Sequence, residues 1–170
     1  MMVVVIEELH KENKTMNYYE EAVKVLEEKL GNDVEISLAT SSNDQPMVRI
    51  IDAFYQDGSL YTVTYLKTQK MIDILQNNKI CVCKGLFQAV GIGVNLGNPL
   101  KEENKELREI IKEKFSSFYE LHINETDENT CILKMELTRG AVFTRTHKYQ
   151  VDFVKKSATR IEFNNTISDF

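Results

Sequence analysis

Arg49, Lys67, Thr68, Gln69 and Lys70 are the residues of this 170-residue chain whose types and spacing could do chemistry. Arg49 stands in an otherwise apolar run, where a guanidinium is costly to bury unless an anion meets it. Lys67-Thr68-Gln69-Lys70 opens a predicted helix running to about Gln76. Two ammonium groups, a hydroxyl, an amide and free backbone N–H groups thus gather at one helix start, a place where phosphate binds readily. Taken singly, these residues have plainer readings: a strand arginine usually pairs with a neighbouring carboxylate, and a helix-start lysine usually faces water. Their joint spacing favours phosphate over those readings.

Three strands and two tight links must position these groups. Val34–Thr40 reads as a strand, and Ser41-Ser42-Asn43-Asp44-Gln45-Pro46 as a cluster of turn formers. Met47–Tyr55 is the second strand and ends at Gln56-Asp57-Gly58-Ser59, where Asp-Gly supplies the positive φ of a short hairpin turn. Leu60–Tyr65, rich in β-branched and aromatic residues, is the third. A period of two puts Met47, Arg49, Ile51 and Ala53 on one face of the second strand. Val48, Ile50, Asp52 and Phe54 take the other.

The rest of the chain supplies a frame. Asn17–Leu30 predicts a helix capped by Asn17, with Glu20 completing a capping box, Gly31 as a left-handed C-terminal stop, and an apolar stripe of Tyr19, Ala22, Val23, Leu26 and Leu30. Met71, Ile72, Ile74 and Leu75 give the helix after Lys70 an apolar side, and Asn77-Asn78 ends it. Ile80–Cys83 and Val90–Leu96 read as strands, the second with glycines that permit a bulge or close approach. Asn98-Pro99 predicts the start of a helix reaching about Tyr119. Cys131–Thr138, Ala141–Thr146 and Tyr149–Val154 read as three strands linked tightly at Arg139-Gly140 and His147-Lys148. Arg160–Phe170 is polar enough to fray. Short strands interrupted by helices, without βαβ alternation, predict a mainly β fold: an antiparallel barrel with flanking helices. Residues 17–156 form the expected domain, 1–16 an extension whose Met1–Ile6 run would pair at a sheet edge, and 157–170 a tail.

Pro46-Met47-Val48-Arg49-Ile50-Ile51, the Asp-Gly turn, Val63-Thr64, Thr68-Gln69-Lys70 and Asn77-Asn78 together resemble the pyridoxamine 5′-phosphate oxidase-like family, whose fold is an antiparallel, FMN-binding split β-barrel. The resemblance is densest from Val34 to about Cys83. It implies that Arg49 and Lys70 grip the FMN phosphate and that Ile50 and Ile51 contact the isoalloxazine. It also implies that Thr64 and Thr68 donate hydroxyls to the ribityl phosphate, and that the cofactor lies at the interface of a homodimer. Gln69 stands where the family often has an arginine, leaving one charge fewer, which Lys67 could replace. That departure keeps a deazaflavin or haem open as the alternative cofactor. A pyridoxamine phosphate oxidase proper would have a lysine where Phe54 stands and a carboxy-terminal tryptophan with paired arginines. This chain has no tryptophan.

Composition narrows the remaining classes. Apolar content of 42% and charged content of 28% suit one globular domain. A net charge of −5 gives no basic excess for nucleic acid or a membrane surface. Met1–Ile6 is too short to span a bilayer and is followed by Glu7-Glu8, so a cytoplasmic protein is expected. Cys81 and Cys83 are spaced for neither a redox CxxC nor a zinc knuckle, and His10, His122 and His147 lie far apart, so no metal site is expected. No catalytic acid, base or nucleophile stands out, as suits a protein whose cofactor carries the electron chemistry. The leading expectation is an FMN-dependent oxidoreductase reducing a small acceptor with NAD(P)H. A flavin carrier without turnover and a cofactor-free dimeric interaction module are the alternatives.

Overall fold

Positive φ at Asn43 (48°) and Asp44 (59°), and again at Asp57 (47°) and Gly58 (77°), turns the chain through two two-residue hairpins. Turns of this hand match the twist of the strands they join. The structure, a computed structural model, describes residues 16–162. The strand expected at Met1–Ile6 and the last residues of the expected tail lie outside them. The first hairpin is tighter than the sequence suggests: β1 (Val34–Ser42) and β2 (Gln45–Gln56) continue to Ser42 and Gln45, because Asn and Asp accept the left-handed region. β3 (Ser59–Tyr65) follows the second turn.

The sheet then closes on itself. α1 (Tyr19–Leu30) precedes β1, and α2 (Gln69–Gln76) leads from β3 to β4 (Lys79–Lys84) and β5 (Phe87–Gly97). A 3-10 turn at Glu102–Asn104, then α3 (Lys105–Lys114) and α4 (Tyr119–His122), lead to β6 (Thr130–Phe143), β7 (His147–Asp152) and β8 (Ser157–Glu162). All pairings are antiparallel, in the order β3-β2-β1-β4-β5-β6-β7-β8, and β3 also pairs with β6 to close six strands into a barrel. One edge of β6 pairs with β5, and the other is divided. Its first half, Thr130–Glu136, takes β3, and its second half, Arg139–Phe143, takes β7. The barrel is thereby split where β7 and β8 leave it.

Two apolar clusters hold this together. The larger fills the barrel and its contact with α1, with Leu26, Leu30, Ile36, Leu38, Tyr55, Leu60, Leu133 and Met135 buried. The smaller, Phe54, Ile111, Phe115, Tyr119 and Ile132, joins the outside of β2 and β6 to α3 and α4. Ala53, Phe54 and Tyr55 are therefore buried in succession, and the alternation read in β2 ends where the helices cover its second face.

Several expectations change. Arg139-Gly140 is not a turn; both lie inside β6. A Cβ on Gly140 would come within 2.9 Å of the Ala89 Cβ, so this glycine serves close strand packing. Gly31 has φ −72°, not left-handed, and its lack of a side chain makes room for the Glu27 carbonyl. Asn17 does accept a hydrogen bond from the Tyr19 N–H (3.1 Å), and it also clamps β8, accepting from the Ala158 N–H (3.0 Å) and donating to the Lys156 carbonyl (3.0 Å). Residues 157–162 are consequently a paired strand rather than part of a tail. The helix expected from Asn98 begins only at Lys105 and breaks at Phe115–Phe118; Asn98 instead accepts from the Leu100 N–H and donates to the Glu125 and Asp127 carbonyls.

The glycines of β5 do accommodate an irregularity. The register against β6 shifts between Val90 and Gly91, and a Cβ at Gly91 would fall 2.0 Å from the Glu136 carbonyl oxygen. Backbone cannot yield there without unpairing the barrel. Gly91→Ala should cost about 3 kcal/mol, the upper range for forced overpacking, measured by urea unfolding; a loss within experimental error would show that β5 and β6 can separate freely.

Candidate functional site

β2 and β3 pair at only three positions, Phe54–Tyr61, Tyr55–Leu60 and Gln56–Ser59, and then part. Beyond that point β2 keeps β1 on its other edge and β3 keeps β6, so the two facing edges carry backbone N–H and C=O groups with no ladder partner. Between them lies a cleft of about 230 Å³ lined by Ile50, Ile51 and Asp52 of β2, Thr62 and Val63 of β3, Lys70 of α2, and Phe115 and Phe118 from the α3–α4 connection.

The cationic end of the cleft is set by a carboxylate. Asp73 of α2 is 1% exposed and accepts from the Thr40 hydroxyl (2.6 Å), the Ser42 hydroxyl (2.9 Å) and the Gln69 amide (2.8 Å). Arg49 reaches it through Nη2 at 3.5 Å. Hydrogen bonds from Thr40 and Gln69 first, then from Ser42, with the Arg49 charge, hold Asp73 below the usual carboxylate range against the opposing effect of burial. Arg49 is 21% exposed, and its Nη1 donates to Thr40 Oγ1 (2.7 Å) and to the Leu38 and Met47 carbonyls (3.2 and 3.3 Å). The strand arginine thus has its carboxylate partner.

Lys70 does not. This half-buried ammonium meets no carboxylate and no hydrogen-bond acceptor among the described residues. Burial first and the Arg49 charge second lower its pKa from the usual lysine value. The protonated form is therefore penalised in the native state, and an anion beside it would relieve the penalty. The N–H groups of Gln69 and Lys70, in the first turn of α2, have no acceptor among the described residues either. Close by, burial pushes the Cys131 thiol up to about 11, so it is a neutral neighbour rather than a counterion.

The structure thus brings together Ile50, Ile51 and Lys70, with Arg49 beside them. The other expected ligands stand apart from the cleft. Thr64 is buried on β3 opposite Cys131. Thr68 stands at the N-cap position of α2 without a capping side-chain bond and gives its hydroxyl proton to the Tyr65 carbonyl (2.8 Å). Gln69 is held by Asp73, and exposed Lys67 lies near Asp127. Sequence reasoning missed Asp52, Thr62, Val63, Phe115 and Phe118 of the lining, and Asp73 beneath it. Alternation in β3 put Thr62 on the same face as Thr64 and could have found it; the phenylalanines arrive from the α3–α4 connection, more than fifty residues after Thr62, and carried no local signal.

Ile72 and Leu75, read as the buried side of α2, are exposed, Leu75 at 88%. The helix is turned so that Met71, Asp73 and Ile74 face inward. Cys81 and Cys83 share the outer face of β4, exposed, and Cys131 is buried. No group of three or more His, Cys, Asp or Glu residues gathers at metal-binding distance among the described residues. No described helix is long and apolar enough to cross a membrane.

No family model matches the sequence, nor does any curated protein. Solved structures do match. A candidate pyridoxamine 5′-phosphate oxidase from Listeria innocua superposes with a TM-score of 0.54 at 16% identity, over 72% of this chain and 94% of that one. A FAD-binding protein from Mesorhizobium loti gives 0.56 at 18% identity, over 71% and 90%. A NimC/NimA family protein from Clostridium acetobutylicum gives 0.52 at 22% identity, over 89% and 99%. At these identities the likeness is one of fold, and the fold is the antiparallel split barrel that the motifs resemble.

The Asp73 network has a pH signature. Its pKa is lower folded than unfolded, so the stability it contributes is complete above the unfolded value of about 4 and is lost as pH falls through the folded value. Wild type should lose stability more steeply below about pH 4 than Asp73→Asn does, in urea unfolding across pH. Asp73→Ala, which strands Arg49 and three donors, should cost about 3 kcal/mol at neutral pH. Parallel pH profiles for wild type and Asp73→Asn would remove the carboxylate from this role.

Proposed function

We propose that this split-barrel chain binds a flavin, FMN in the first place, with its phosphate at Lys70 and Arg49 and its ring along the unpaired edge of β2. The observation that carries this reading is the half-buried Lys70 ammonium, which has no ion-pair or hydrogen-bond partner among the described residues, in a cleft lined by Ile50, Ile51, Val63, Phe115 and Phe118 together with Asp52 and Thr62. The residues fit the group. A dianionic phosphate suits an ammonium, a nearby guanidinium and the free N–H groups of a helix start. A polar-edged planar ring suits backbone donors and acceptors flanked by isoleucine and phenylalanine. Lys70 and Arg49 hold the tail, the β2 edge orients the ring, and Phe115 and Phe118 keep water from one side.

When bound, the flavin supplies hydride and electron transfer, and we place this chain as an oxidoreductase that passes reducing equivalents from NAD(P)H to a small acceptor. Pyridoxamine phosphate oxidase activity is not part of the proposal, since Phe54 is buried against Phe115 and Tyr61, away from any substrate phosphate. A homodimer belongs to the same reading. The cleft is smaller than the roughly 300 Å³ at which ligand sites begin, and the neighbouring outer face of β2 exposes Val48 (68%) and Ile50 (61%). A second copy laid over that face would enlarge the site and cover the apolar surface. Three unpaired thiols suit the reducing cytoplasm.

A second reading, a cofactor-free dimeric module, draws on Arg49 being engaged by Asp73 without any ligand. A deazaflavin or haem in the same cleft is the corresponding cofactor alternative, since Gln69 is turned to Asp73 and adds no charge. The protein purified without added cofactor should show flavin absorbance, with FMN released on denaturation. Lys70→Ala should weaken FMN binding by about 2 kcal/mol, a charge-assisted hydrogen bond, while leaving riboflavin affinity and thermal stability unchanged. Failure to take up FMN, a deazaflavin or haem in titration decides for the cofactor-free reading, whereas uptake of a deazaflavin or haem without FMN decides for the alternative cofactor. Uptake without NADH or NADPH oxidation in stopped flow reduces the proposal to a carrier.

A further inference from the structure

Aromatic rings on the helix-covered side of β2 form a continuous series. Phe54 stacks on Tyr61 with centroids 5.5 Å apart, Phe115 meets Phe54 at 5.6 Å and 71°, and Phe118 leans on Phe115 at 5.1 Å and 31°. Phe54 and Phe115 are buried, whereas Phe118 is half-buried and lines the cleft. The series therefore runs from the core to the cleft and ends on a ring with aromatic contact on one side only.

The segment that carries Phe118 is firmly held. The Phe118 N–H donates to the Phe115 carbonyl (3.0 Å) and the Tyr119 N–H to the same carbonyl (2.8 Å). The Tyr119 hydroxyl donates to Glu125 (2.8 Å), which Arg108 also grips through Nε and Nη2 (2.6 and 2.7 Å). Glu125 is held below the usual carboxylate range, chiefly by its hydrogen bond from Arg108. A ring fixed in this way loses little freedom when a ligand meets it.

We propose that Phe118 is the stacking residue of the cleft, and that the cleft accepts a fused planar heteroaromatic ring lying between Phe118 and the Ile50–Ile51 stretch of β2, with an anionic tail toward Lys70. This rests on the flavin reading and adds to it a residue that selects for planarity. A sugar phosphate or other non-planar anion would reach Lys70 without using the aromatic wall.

The test uses the full chain and its Phe118→Ala, Phe118→Leu and Phe118→Trp variants, titrated with FMN, riboflavin and inorganic phosphate, with visible circular dichroism of bound flavin as a second readout. Phe118→Ala should weaken FMN and riboflavin alike by about tenfold or more, the scale of one lost aromatic stack. Phe118→Trp should retain affinity, Phe118→Leu should fall between, and phosphate affinity should be the same in all four proteins. Phe118→Leu preserves the apolar packing, so it decides the matter if the alanine variant does not fold. Unchanged flavin affinity and dichroism in Phe118→Leu, or an equal loss of phosphate affinity, overturns the role. If wild type refuses flavin but takes up a sulfonated naphthalene dye in a Phe118-dependent way, the flavin reading falls and the stacking role stands. If it takes up neither, both fall.

Discussion

One buried carboxylate fixes the relation between the helix and the two strands on which the cleft depends. Asp73 is almost fully enclosed and would be intolerable there as an unpaired charge. It is met by hydroxyls from β1, an amide from its own helix and a guanidinium from β2. Satisfying it orients α2 about its axis. Lys70, three residues earlier and on a neighbouring part of the same helical face, is thereby carried to a half-buried position beside Arg49. The placement is unfavourable for the lysine, and its lowered pKa is the measure of that. The apolar content of α2 yields to the same constraint: Ile72 and Leu75 are left in solvent because turning them inward would withdraw Asp73 from its donors.

The second constraint is topological. β6 has a single free edge to divide between β3 and β7, so β3 is held toward one end of the barrel while β2 continues along β1. The hairpin between β2 and β3 can close only near its turn, and the gap beyond it is unavoidable for this connectivity. In a closed sheet such a gap would leave backbone polar groups unsatisfied. Here α3 and α4 roof part of it with Phe115 and Phe118, and the rest remains open to a ligand. Cation and cleft have separate causes, the first in a helix rotation and the second in a shared strand edge, and they meet at Lys70.

Local chemistry was legible in the sequence, and long-range chemistry was not. The turn formers of Ser41–Pro46 and the Asp57-Gly58 pair announced both hairpins because turn preference is a property of those residues themselves, though only the structure narrows the first turn to Asn43-Asp44. The glycines of β5 were legible for a different reason, since a glycine inside a strand marks a bulge or a close approach, and Gly91 makes one against the Glu136 carbonyl. Gly140 was misread as a turn because a glycine needed for close approach to Ala89 looks the same in the sequence as one needed for a turn. β8 was misread as a fraying tail because what secures it is Asn17, some 140 residues away. Within the site, the resemblance pointed to Arg49 and Lys70. It could not say that Arg49 has a protein partner and Lys70 none, since Asp73 sat in a run whose apolar periodicity argued for a different inward face.

That difference between the two cations bears on how the site would recognise an anion. Across Arg49, Asp73 and Lys70 the formal charges sum to one positive unit, and the geometry assigns that unit to the lysine. The guanidinium, directed by Thr40 and Asp73, offers few donors in new directions, so its contribution to a phosphate would be chiefly the field it adds near Lys70. An ammonium on a flexible stem can follow a phosphate whose position is fixed from elsewhere, and in this cleft the fixing elements are the β2 edge and the aromatic wall. Recognition would therefore be led by the planar part of the ligand, with the charge as a tether, which is the reverse of a phosphate loop whose backbone grips the anion first.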